Sequence, residues 1–351
     1  MSLSPTPAER LARARSDLRM GLPVRLVHGN TGLLAAPAET VGPVRLQQLV
    51  TRGAVLALTR RRAETLKIRA YDGDIARIAL PADIDCAGLR AIVDPADDLR
   101  HPLKGPFRPA RGGDPALARA AILLMKSARL MPASILAGDG GSDGLTSLDI
   151  GALHDLPAAM TDVVAANLPM SAGRGRLHLF RPADGGEEHY AAEVGRPDRA
   201  DPVLVRLHSA CFTGDVLGSL KCDCGPQLNG ALAAMATAGA GVLLYLNQEG
   251  RGIGLANKLR AYSLQDQGFD TVEANHRLGF EDDERDFRVG AAILVKMGIS
   301  RVRLMTNNPK KVERLQSCGI EVVERVPLHV GVNPLNQAYL RTKADKSGHL
   351  L

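Results

Sequence analysis

The stretch VLLYLNQEGRGIGLANKLRAYSLQDQG, residues 242–268, predicts a strand, a loop and a helix in direct succession. Its first five residues form an apolar run of strand length, Leu255 and Leu259 lie at helical spacing, and Gly268 ends the pattern. A similar unit follows, with a strand over 302–305, the loop NNPKK, a helix over 312–317 and a strand over 320–323. This alternation indicates an α/β (α+β) fold in which mixed sheets are flanked by helices.

Both loops carry basic residues at the point where a strand passes into a helix. Arg251 lies in the first loop, and Lys310 and Lys311 lie in the second. Backbone N–H groups and the positive end of the helix dipole bind anions at such positions, and Arg and Lys side chains add hydrogen-bond donors. Either loop alone is equally consistent with a solvated surface turn. Together they predict a site for a phosphorylated ligand.

Three cysteines stand close together in HSACFTGDVLGSLKCDCG, residues 208–225. A structural zinc site closes with a fourth side chain, whereas a catalytic site has three protein ligands and leaves a position for water. The C-D-C spacing is too short for a zinc knuckle, and an odd cysteine number without an apolar leader segment disfavours a disulfide framework. We therefore predict a catalytic zinc site at Cys211, Cys222 and Cys224. His208 remains open as a fourth ligand, which would make the site structural.

The composition is that of a globular protein, because 45% of the 351 residues are hydrophobic and 23% are charged. The formal net charge of +6 is spread along the chain, and aromatic residues make up only 3%. These values disfavour nucleic-acid binding and favour a small polyanion such as a nucleoside triphosphate. No apolar run reaches bilayer-spanning length, so we expect no membrane partner and a cytoplasmic location.

The acidic stretch GFEDDERDF, residues 279–287, lies between the two loops. An exposed acidic turn is the plain interpretation for Glu281 and Asp282. Asp283 and Arg285 gain a role if they face a pocket, because a carboxylate accepts a proton and a guanidinium binds phosphate through two hydrogen bonds. Together with a zinc-activated water, these groups predict a hydrolase that acts on the purine-like ring of a phosphorylated nucleotide.

The chain divides into two predicted domains, residues 1–150 and 165–351, with a linker over 151–164. The front domain has a helical pattern over 11–19 and 115–130 and strand patterns over 23–27 and 55–59. The segment GDGGSDG at 138–144 ends this pattern. Prolines and polar residues between 149 and 201 predict a less regular stretch that contains the domain boundary.

Four segments of the second domain resemble, in order and spacing, the signature segments of the GTP cyclohydrolase II family: HSACFTGDVLGSLKCDCGPQL, QEGRGIGLANKLRAYSLQDQGFDTVEAN, LGFEDDERDF and TNNPKKVERL. The resemblance covers roughly residues 165–351 and implies a GTP cyclohydrolase II-like fold there. The family opens the imidazole ring of GTP, releases carbon 8 as formate and cleaves off pyrophosphate. The product is 2,5-diamino-6-ribosylamino-4(3H)-pyrimidinone 5′-phosphate, and the reaction is the first step of riboflavin biosynthesis.

The resemblance also implies roles for individual residues. Cys211, Cys222 and Cys224 would hold one Zn²⁺ per subunit, and His208 would belong to the nucleotide site rather than to the metal. The implied GTP contacts are Arg206, Leu207, His208, Ser209, Ala210, Gln227, Glu249, Gly250, Arg251, Thr271, Thr306 and Lys311. Asp283 would accept a proton, and Tyr262 would serve the completion of ring opening. The family further implies a homodimer.

Arg285 falls at the position that the family assigns to a nucleophile toward the α-phosphate. Because an arginine stays protonated and is a poor nucleophile, we expect it to stabilise charge at phosphorus, with Mg²⁺ on the leaving pyrophosphate. Two positions depart from the family pattern, since Ala210 and Asn247 stand where many members carry Glu and Arg. We interpret this paired loss as compensated. The alternatives are a GTP-binding regulatory pseudoenzyme and a relative in pyrimidine catabolism.

The front domain resembles dihydroxybutanone phosphate synthase in the segments RARSDLRMGLPVRLV, VRLQQLVTRGAVLAL and DPALARAAILLMKSARLMPASIL. The synthase uses an acidic loop for its metal, whereas this chain has VHGNTGLLAAPAE there and GGDPA in place of a histidine motif. Mg²⁺ would lack carboxylate ligands at that position. We expect a degenerate, non-catalytic domain that serves scaffolding, dimerisation or regulation.

Overall fold

The computed structural model describes residues 3–102, 104–140, 144–151, 158–348 and 350. Parts of the predicted GDGGSDG segment and of the predicted linker, residues 141–143 and 152–157, lie outside the described residues. The chain forms two compact units. The first comprises Met1–Leu156 and Ile253–Glu284, and the second comprises Pro157–Gly252 and Arg285–Leu351.

Helices and strands alternate along the first part of the chain. Their bounds are α1 (Pro7–Arg19), β1 (Val24–His28), β2 (Thr31–Pro37), α2 (Pro43–Val50), β3 (Val55–Thr59), α3 (Arg60–Thr65), β4 (Ile75–Ala79), α4 (Cys86–Val93), α5 (Pro115–Ser127), β5 (Ala133–Gly138) and β6 (Ser147–Asp149). The six strands form one sheet in the order β4-β3-β5-β2-β1-β6. One core cluster joins α1 and α5 to this sheet, and a second joins α2 and α4 to it.

The second part of the chain holds a seven-stranded sheet in the order β13-β12-β10-β11-β9-β8-β7. The helices and strands of this part of the chain are β7 (Met160–Met170), β8 (Gly173–Pro182), β9 (His189–Val194), β10 (Val203–Ser209), α6 (Cys224–Thr237), β11 (Gly241–Leu246), α7 (Leu255–Asp266), α8 (Thr271–Leu278), α9 (Arg288–Lys296), β12 (Arg301–Met305), α10 (Pro309–Ser317), β13 (Glu321–Val326) and α11 (Gln337–Ser347). Strands β10, β11, β12 and β13 are parallel, and β7, β8 and β9 pair in antiparallel fashion.

The two faces of the second sheet are covered by different helices. Helices α9 and α10 pack on one face through residues such as Ile293 and Leu315, and α6 packs on the other through Ala231 and Met235. Helices α7 and α8 have a small core of their own and group with the first unit. Among the helices described, none has the length and hydrophobicity needed to cross a bilayer.

The structure confirms the α/β class and most of the predicted elements. The strand over 55–59 is found at those residues, and the helix predicted over 255–267 is α7. Two predictions are wrong. The stretch between 149 and 201 is not irregular, because it contains the long hairpin β7–β8, whose Pro169 is tolerated since β7 is an edge strand.

The second error concerns the loop NNPKK. Helix α10 begins at Pro309, so Lys310 and Lys311 lie in its first turn. The Asn308 side chain accepts a hydrogen bond from the Lys310 N–H at 3.0 Å, and proline at the first helical position needs no N–H partner.

The contact-based units also differ from the domains predicted from sequence patterns. The change from first to second unit after Leu156 falls within the predicted linker. Residues 253–284, however, belong to the first unit although they carry part of the predicted second domain. The reason is that Arg260, Asn257 and Glu284 of this segment make ion pairs or hydrogen bonds with residues of the front part of the chain.

Candidate active site

The candidate site of the second unit lies at the carboxyl ends of parallel strands. Strand β10 is flanked by β11 on one side and β12 on the other, so the chain leaves β10 in one direction and later returns to its opposite edge. In open α/β sheets, ligands bind at such a reversal of strand order, outside the carboxyl ends. Three of the predicted segments, after Ser209, Leu246 and Met305, begin at this edge.

The three predicted cysteines come together at this edge. Cys211 follows β10, Cys224 is the first residue of α6, and Cys222 stands just before it. Their sulfur atoms lie within 4.8 Å of one another, and the Cys211 and Cys222 Sγ atoms are 3.7 Å apart. Tetrahedral zinc with Zn–S bonds of about 2.3 Å requires sulfur atoms about 3.8 Å apart. The spacing therefore suits a metal ion bound by three thiolates.

The surroundings of the sulfurs also suit a cation. Contact with Cys211 and burial raise the pKa of Cys222, and contact with both other thiols raises the pKa of Cys224 well above its usual value. A divalent cation would offset the cost of holding these thiolates together. Gly214 leaves the necessary space, because a Cβ atom there would lie 2.9 Å from Cys222 Sγ and 3.1 Å from Cys211 Sγ.

His208 is engaged with a buried carboxylate. Its Nε2 lies 3.1 Å from both carboxylate oxygens of Asp215, and both side chains are almost fully buried. Among the residues that the structure describes, no histidine, aspartate or glutamate joins the three sulfurs in a common cluster. In this arrangement the imidazole contacts Asp215, and the possibility of a fourth zinc ligand at His208 stays a prediction.

Asp215 accepts three hydrogen bonds in all. Besides His208, the donors are the Tyr245 hydroxyl at 3.0 Å and the Cys211 backbone N–H at 3.0 Å. Burial lowers the pKa of His208, which keeps the imidazole neutral near pH 7, and burial together with Asp215 raises the pKa of Tyr245. The carboxylate therefore fixes the imidazole, the phenol and the backbone of Cys211 relative to one another.

A second buried chain of polar groups lies behind the cysteines. Arg206 donates to the Gln227 amide oxygen, Gln227 donates to Asp223, and Lys343 of α11 donates to Asp223 at 2.8 Å. Burial lowers the pKa of Arg206 to about 10, so the guanidinium stays charged at neutral pH. Within the part of the chain that the structure describes, its Nε atom has no hydrogen-bond partner. Asp223, between the two cysteines of C-D-C, is thus held by a cation from the last helix.

The first predicted loop has unusual backbone geometry. Gly250 and Arg251 have φ angles of 63° and 60°, and the left-handed region is uncommon for an arginine. Glu249 accepts a hydrogen bond from the Phe212 N–H at 2.6 Å, which ties this loop to the residue that follows Cys211. The strained turn therefore lies beside the three-cysteine cluster.

The remaining predicted residues of the second unit surround the end of β10. Lys311 donates to the Leu207 carbonyl at 3.0 Å, and Arg285 donates to the Ser209 hydroxyl at 3.2 Å. Thr306 is buried at the end of β12, with its hydroxyl accepting from the Asn308 N–H. The Leu207 side chain belongs to the hydrophobic core, so only its backbone faces this network.

Three predicted residues lie in the first unit. Tyr262 is on α7 with the Lys258 ammonium 5.7 Å from its ring centre, and Thr271 opens α8 and accepts from Gln265. Asp283 is the second-last residue of the segment 253–284.

Ala210 belongs to the second unit and directly follows β10, where its N–H donates to the Leu246 carbonyl.

Sequence patterns missed several residues that build this site. Tyr245 faces His208 in the register of β10 and β11, with ring centres 5.6 Å apart. Lys343 is 120 residues from Asp223, and no local pattern connects them. Asp215 and Gly214 stand inside the quoted cysteine segment, where the spacing of four from Cys211 to Asp215 was a signal for a turn.

Comparison with known proteins extends this picture. A family model described as GTP cyclohydrolase II matches residues 161–327. GTP cyclohydrolase-2 of Azospirillum brasilense is 44% identical, with 96% of this chain and 93% of that protein covered. GTP cyclohydrolase-2 of Azotobacter vinelandii is 58% identical over 54% of this chain and 91% of its own length.

A solved structure of a two-domain 3,4-dihydroxy-2-butanone 4-phosphate synthase from A. baumannii covers 91% of this chain and 100% of its own, at 20% identity and a TM-score of 0.32. This likeness is too weak to assign a fold or a function. The Azospirillum relative, in contrast, matches almost the whole chain, including the front half. On that match, this chain belongs to the GTP cyclohydrolase II family.

Proposed function

We propose that this chain is a zinc-dependent GTP cyclohydrolase II. It hydrolyses GTP with opening of the imidazole ring, releases formate and pyrophosphate, and yields 2,5-diamino-6-ribosylamino-4(3H)-pyrimidinone 5′-phosphate for riboflavin synthesis. The observation that carries the proposal is the cluster of Cys211, Cys222 and Cys224 at the carboxyl end of β10, in a chain of this family. A zinc ion held there would supply Lewis-acid activation of water for attack at carbon 8.

The chain's own groups support this chemistry near the cluster. Arg206, charged and almost fully buried with one unpaired N–H, offers a donor for an anionic or carbonyl group of the nucleotide. Neutral His208 is held by Asp215 in one orientation. Arg251, Lys311 and Arg285 add cations for the triphosphate, and Arg285 stabilises charge at the α-phosphate.

Further parts of the proposal come from the family resemblance. Gln227, Glu249, Gly250, Thr271 and Thr306 contact GTP together with Arg206–Ala210. Asp283 accepts a proton, Tyr262 completes ring opening, and Mg²⁺ accompanies the pyrophosphate. The protein works as a cytoplasmic homodimer, and it needs neither nucleic acid nor a membrane.

The front domain is proposed to be non-catalytic. Asp114, in the segment where the synthase carries its histidine motif, caps α5 by accepting from the Ala116 N–H at 2.8 Å and contacts His28. Asp72 and Asp74 are likewise paired, with Arg77 and Arg119. These carboxylates hold the fold together.

The departure at Asn247 supports turnover over a pseudoenzyme. Its side chain donates to the Glu188 carbonyl and its N–H to His189, so the residue has partners in its own unit.

The test is mass analysis of the products that the purified, zinc-loaded full-length protein forms from GTP. Formate, pyrophosphate and the pyrimidinone phosphate are expected, and a chelator should stop their formation. A protein that binds GTP in calorimetry but releases no formate would overturn the proposal in favour of the regulatory pseudoenzyme. Preference for a different substrate, with no rescue of a riboflavin auxotroph, would favour the catabolic alternative.

A further inference from the structure

Helices α7 and α8 form a small segment, residues 253–284, whose own core is small. The two helices have 12 and 8 residues, and their shared core contains six buried hydrophobic residues. Helices of this length are marginal in isolation and depend on tertiary packing. The position of the segment is therefore decided by the rest of the first unit.

An ion cluster anchors the middle of α7. Arg260 donates to a Glu39 oxygen at 2.7 Å, and its Nε lies 3.5 Å from an Asp94 oxygen. The other oxygen of Glu39 accepts the Met131 backbone N–H at 2.7 Å. Glu39 follows β2, Met131 precedes β5, and the Glu39 side chain is only 16% exposed. One carboxylate thus joins α7 to two neighbouring strands of the front sheet.

The start of α7 is held by a buried amide. Asn257, with no exposed surface, donates to the Arg129 carbonyl at 3.2 Å and to the Ile253 carbonyl at 2.9 Å. Gly254 allows this approach, because a Cβ there would lie 3.0 Å from the Arg129 Cβ and its φ is +87°. The contact therefore leaves little freedom at this end.

The far end of the segment is held in a similar way. Gly279, with a φ of +90°, comes so close that a Cβ would lie 2.7 Å from the Thr59 hydroxyl. Lys126 of α5 pairs with Glu284 at 2.6 Å, and Arg61 of α3 pairs with Glu281 at 2.8 Å. The acidic residues of these two ion pairs, Glu281 and Glu284, lie on either side of Asp283 in the sequence.

We propose that the front part of this protein serves as the scaffold that positions the α7–α8 segment, with Glu39 as a positioning residue. The inference rests on the proposed function, in which this segment supplies Tyr262, Thr271 and Asp283. Tyr262 stands two residues after Arg260, and Asp283 directly precedes Glu284. A front half without chemistry of its own then still has a role in catalysis, because it sets the place of the residues that perform it.

The test compares full-length Glu39→Gln with wild type in steady-state GTP turnover. Displacing a catalytic group by about 1 Å costs up to about a hundredfold in rate, so we expect kcat to fall at least about tenfold. Zinc content should stay unchanged, because the cysteines belong to the other unit. Arg260→Gln should give a similar loss, and the double variant should lose little more, since both act through one ion pair.

Two controls separate positioning from general stability. Asp74→Asn removes an exposed ion pair of the same unit, with Arg119 of α5, and its kcat should equal that of wild type. Hydrogen–deuterium exchange should rise over residues 255–266 in Glu39→Gln and in the milder Arg260→Lys, but not over residues 224–237. This measurement does not depend on turnover.

The outcomes are distinct. Unchanged kcat per folded molecule in Glu39→Gln, or unchanged exchange over 255–266, would overturn the positioning role and leave the proposed function standing. An inactive wild-type protein would overturn the proposed function and this inference with it. A fall in melting temperature with unchanged kcat would show a purely structural role and would also overturn it.

Discussion

Gly214→Ala tests whether the three sulfurs share a space that excludes even one more methyl group. The new Cβ would lie 2.9 Å from Cys222 Sγ, 2.9 Å from Cys224 Cβ and 3.1 Å from Cys211 Sγ. The backbone of Gly214 also lies close to Gly225 of α6, since a Cβ atom built on Gly225 would lie 2.4 Å from the Gly214 carbonyl oxygen. The sulfurs must therefore move apart, and they are the groups that have to close around a metal ion.

The size of the effect follows from the cost of overpacking. Adding a methyl group to a filled space costs about 1–3 kcal/mol. Since about 1.4 kcal/mol is a factor of ten in an equilibrium constant, zinc affinity should fall by about 5- to 150-fold. Formate release should fall with it at limiting zinc and recover in part when zinc is raised.

The assay is competition for zinc between the protein and a chelating dye, with melting temperature as a check of folding. Gly138→Ala is the matched control, because it adds the same group at the end of β5, where the new Cβ would meet no described atom within 4 Å beyond its chain neighbours. Its zinc affinity should equal that of wild type. If Gly214→Ala bound zinc as tightly as wild type, the reasoning that the glycine provides space for the metal would be refuted.

Three further perturbations probe buried charges. Lys343→Met leaves the Asp223 carboxylate unpaired and should lower the free energy of unfolding by about 3–5 kcal/mol in urea; a loss below about 1 kcal/mol would contradict this. Burial alone would raise the pKa of Asp98, but Arg62 and Lys104 lower it. Its stabilisation is thus present above pH about 4 and is lost as the pH falls through the lowered folded pKa, so the stability gap to Asp98→Asn should close in acid urea titrations. Asp215→Asn cannot accept from all three donors, which should lower the melting temperature and weaken zinc binding in the same dye assay; unchanged values for both would argue against the network.

Local patterns predicted the cysteine cluster and several helices and strands well, because these features depend on short segments. The spacing of Cys211, Cys222 and Cys224 was sufficient to predict a three-sulfur cluster, and the structure brings their ligand atoms together. Apolar runs and glycine stops likewise predicted β11 and α7 to within a residue or two. Each of these features is determined by neighbours along the chain.

Features that depend on distant residues were not predictable in this way. The β7–β8 hairpin was not predicted because the apolar residues of β7, such as Val163 and Val164, do not alternate with polar ones, and because Pro169 argued against a strand. The ion pair between Lys343 and Asp223 was not predicted, because Lys343 lies in a polar helix in which a lysine is expected to be exposed to solvent. Burial and ion pairing of that lysine become visible only when the last helix is placed against the cysteine loop.

The contacts that hold the α7–α8 segment also involve residues distant in sequence and could not be predicted from local patterns. The sequence of the segment resembles the family's signature, and this resemblance predicts what its residues do, but it does not specify what holds them. That information lies in Glu39, 221 residues before Arg260, and in Lys126 and Arg61, and no sequence motif links these residues to the segment. A domain boundary drawn from motifs therefore separates the segment from its support. It follows that a chain shortened to begin at residue 165 would keep every predicted ligand of zinc and GTP, yet would expose the Arg260 guanidinium and leave Asn257 without the Arg129 carbonyl.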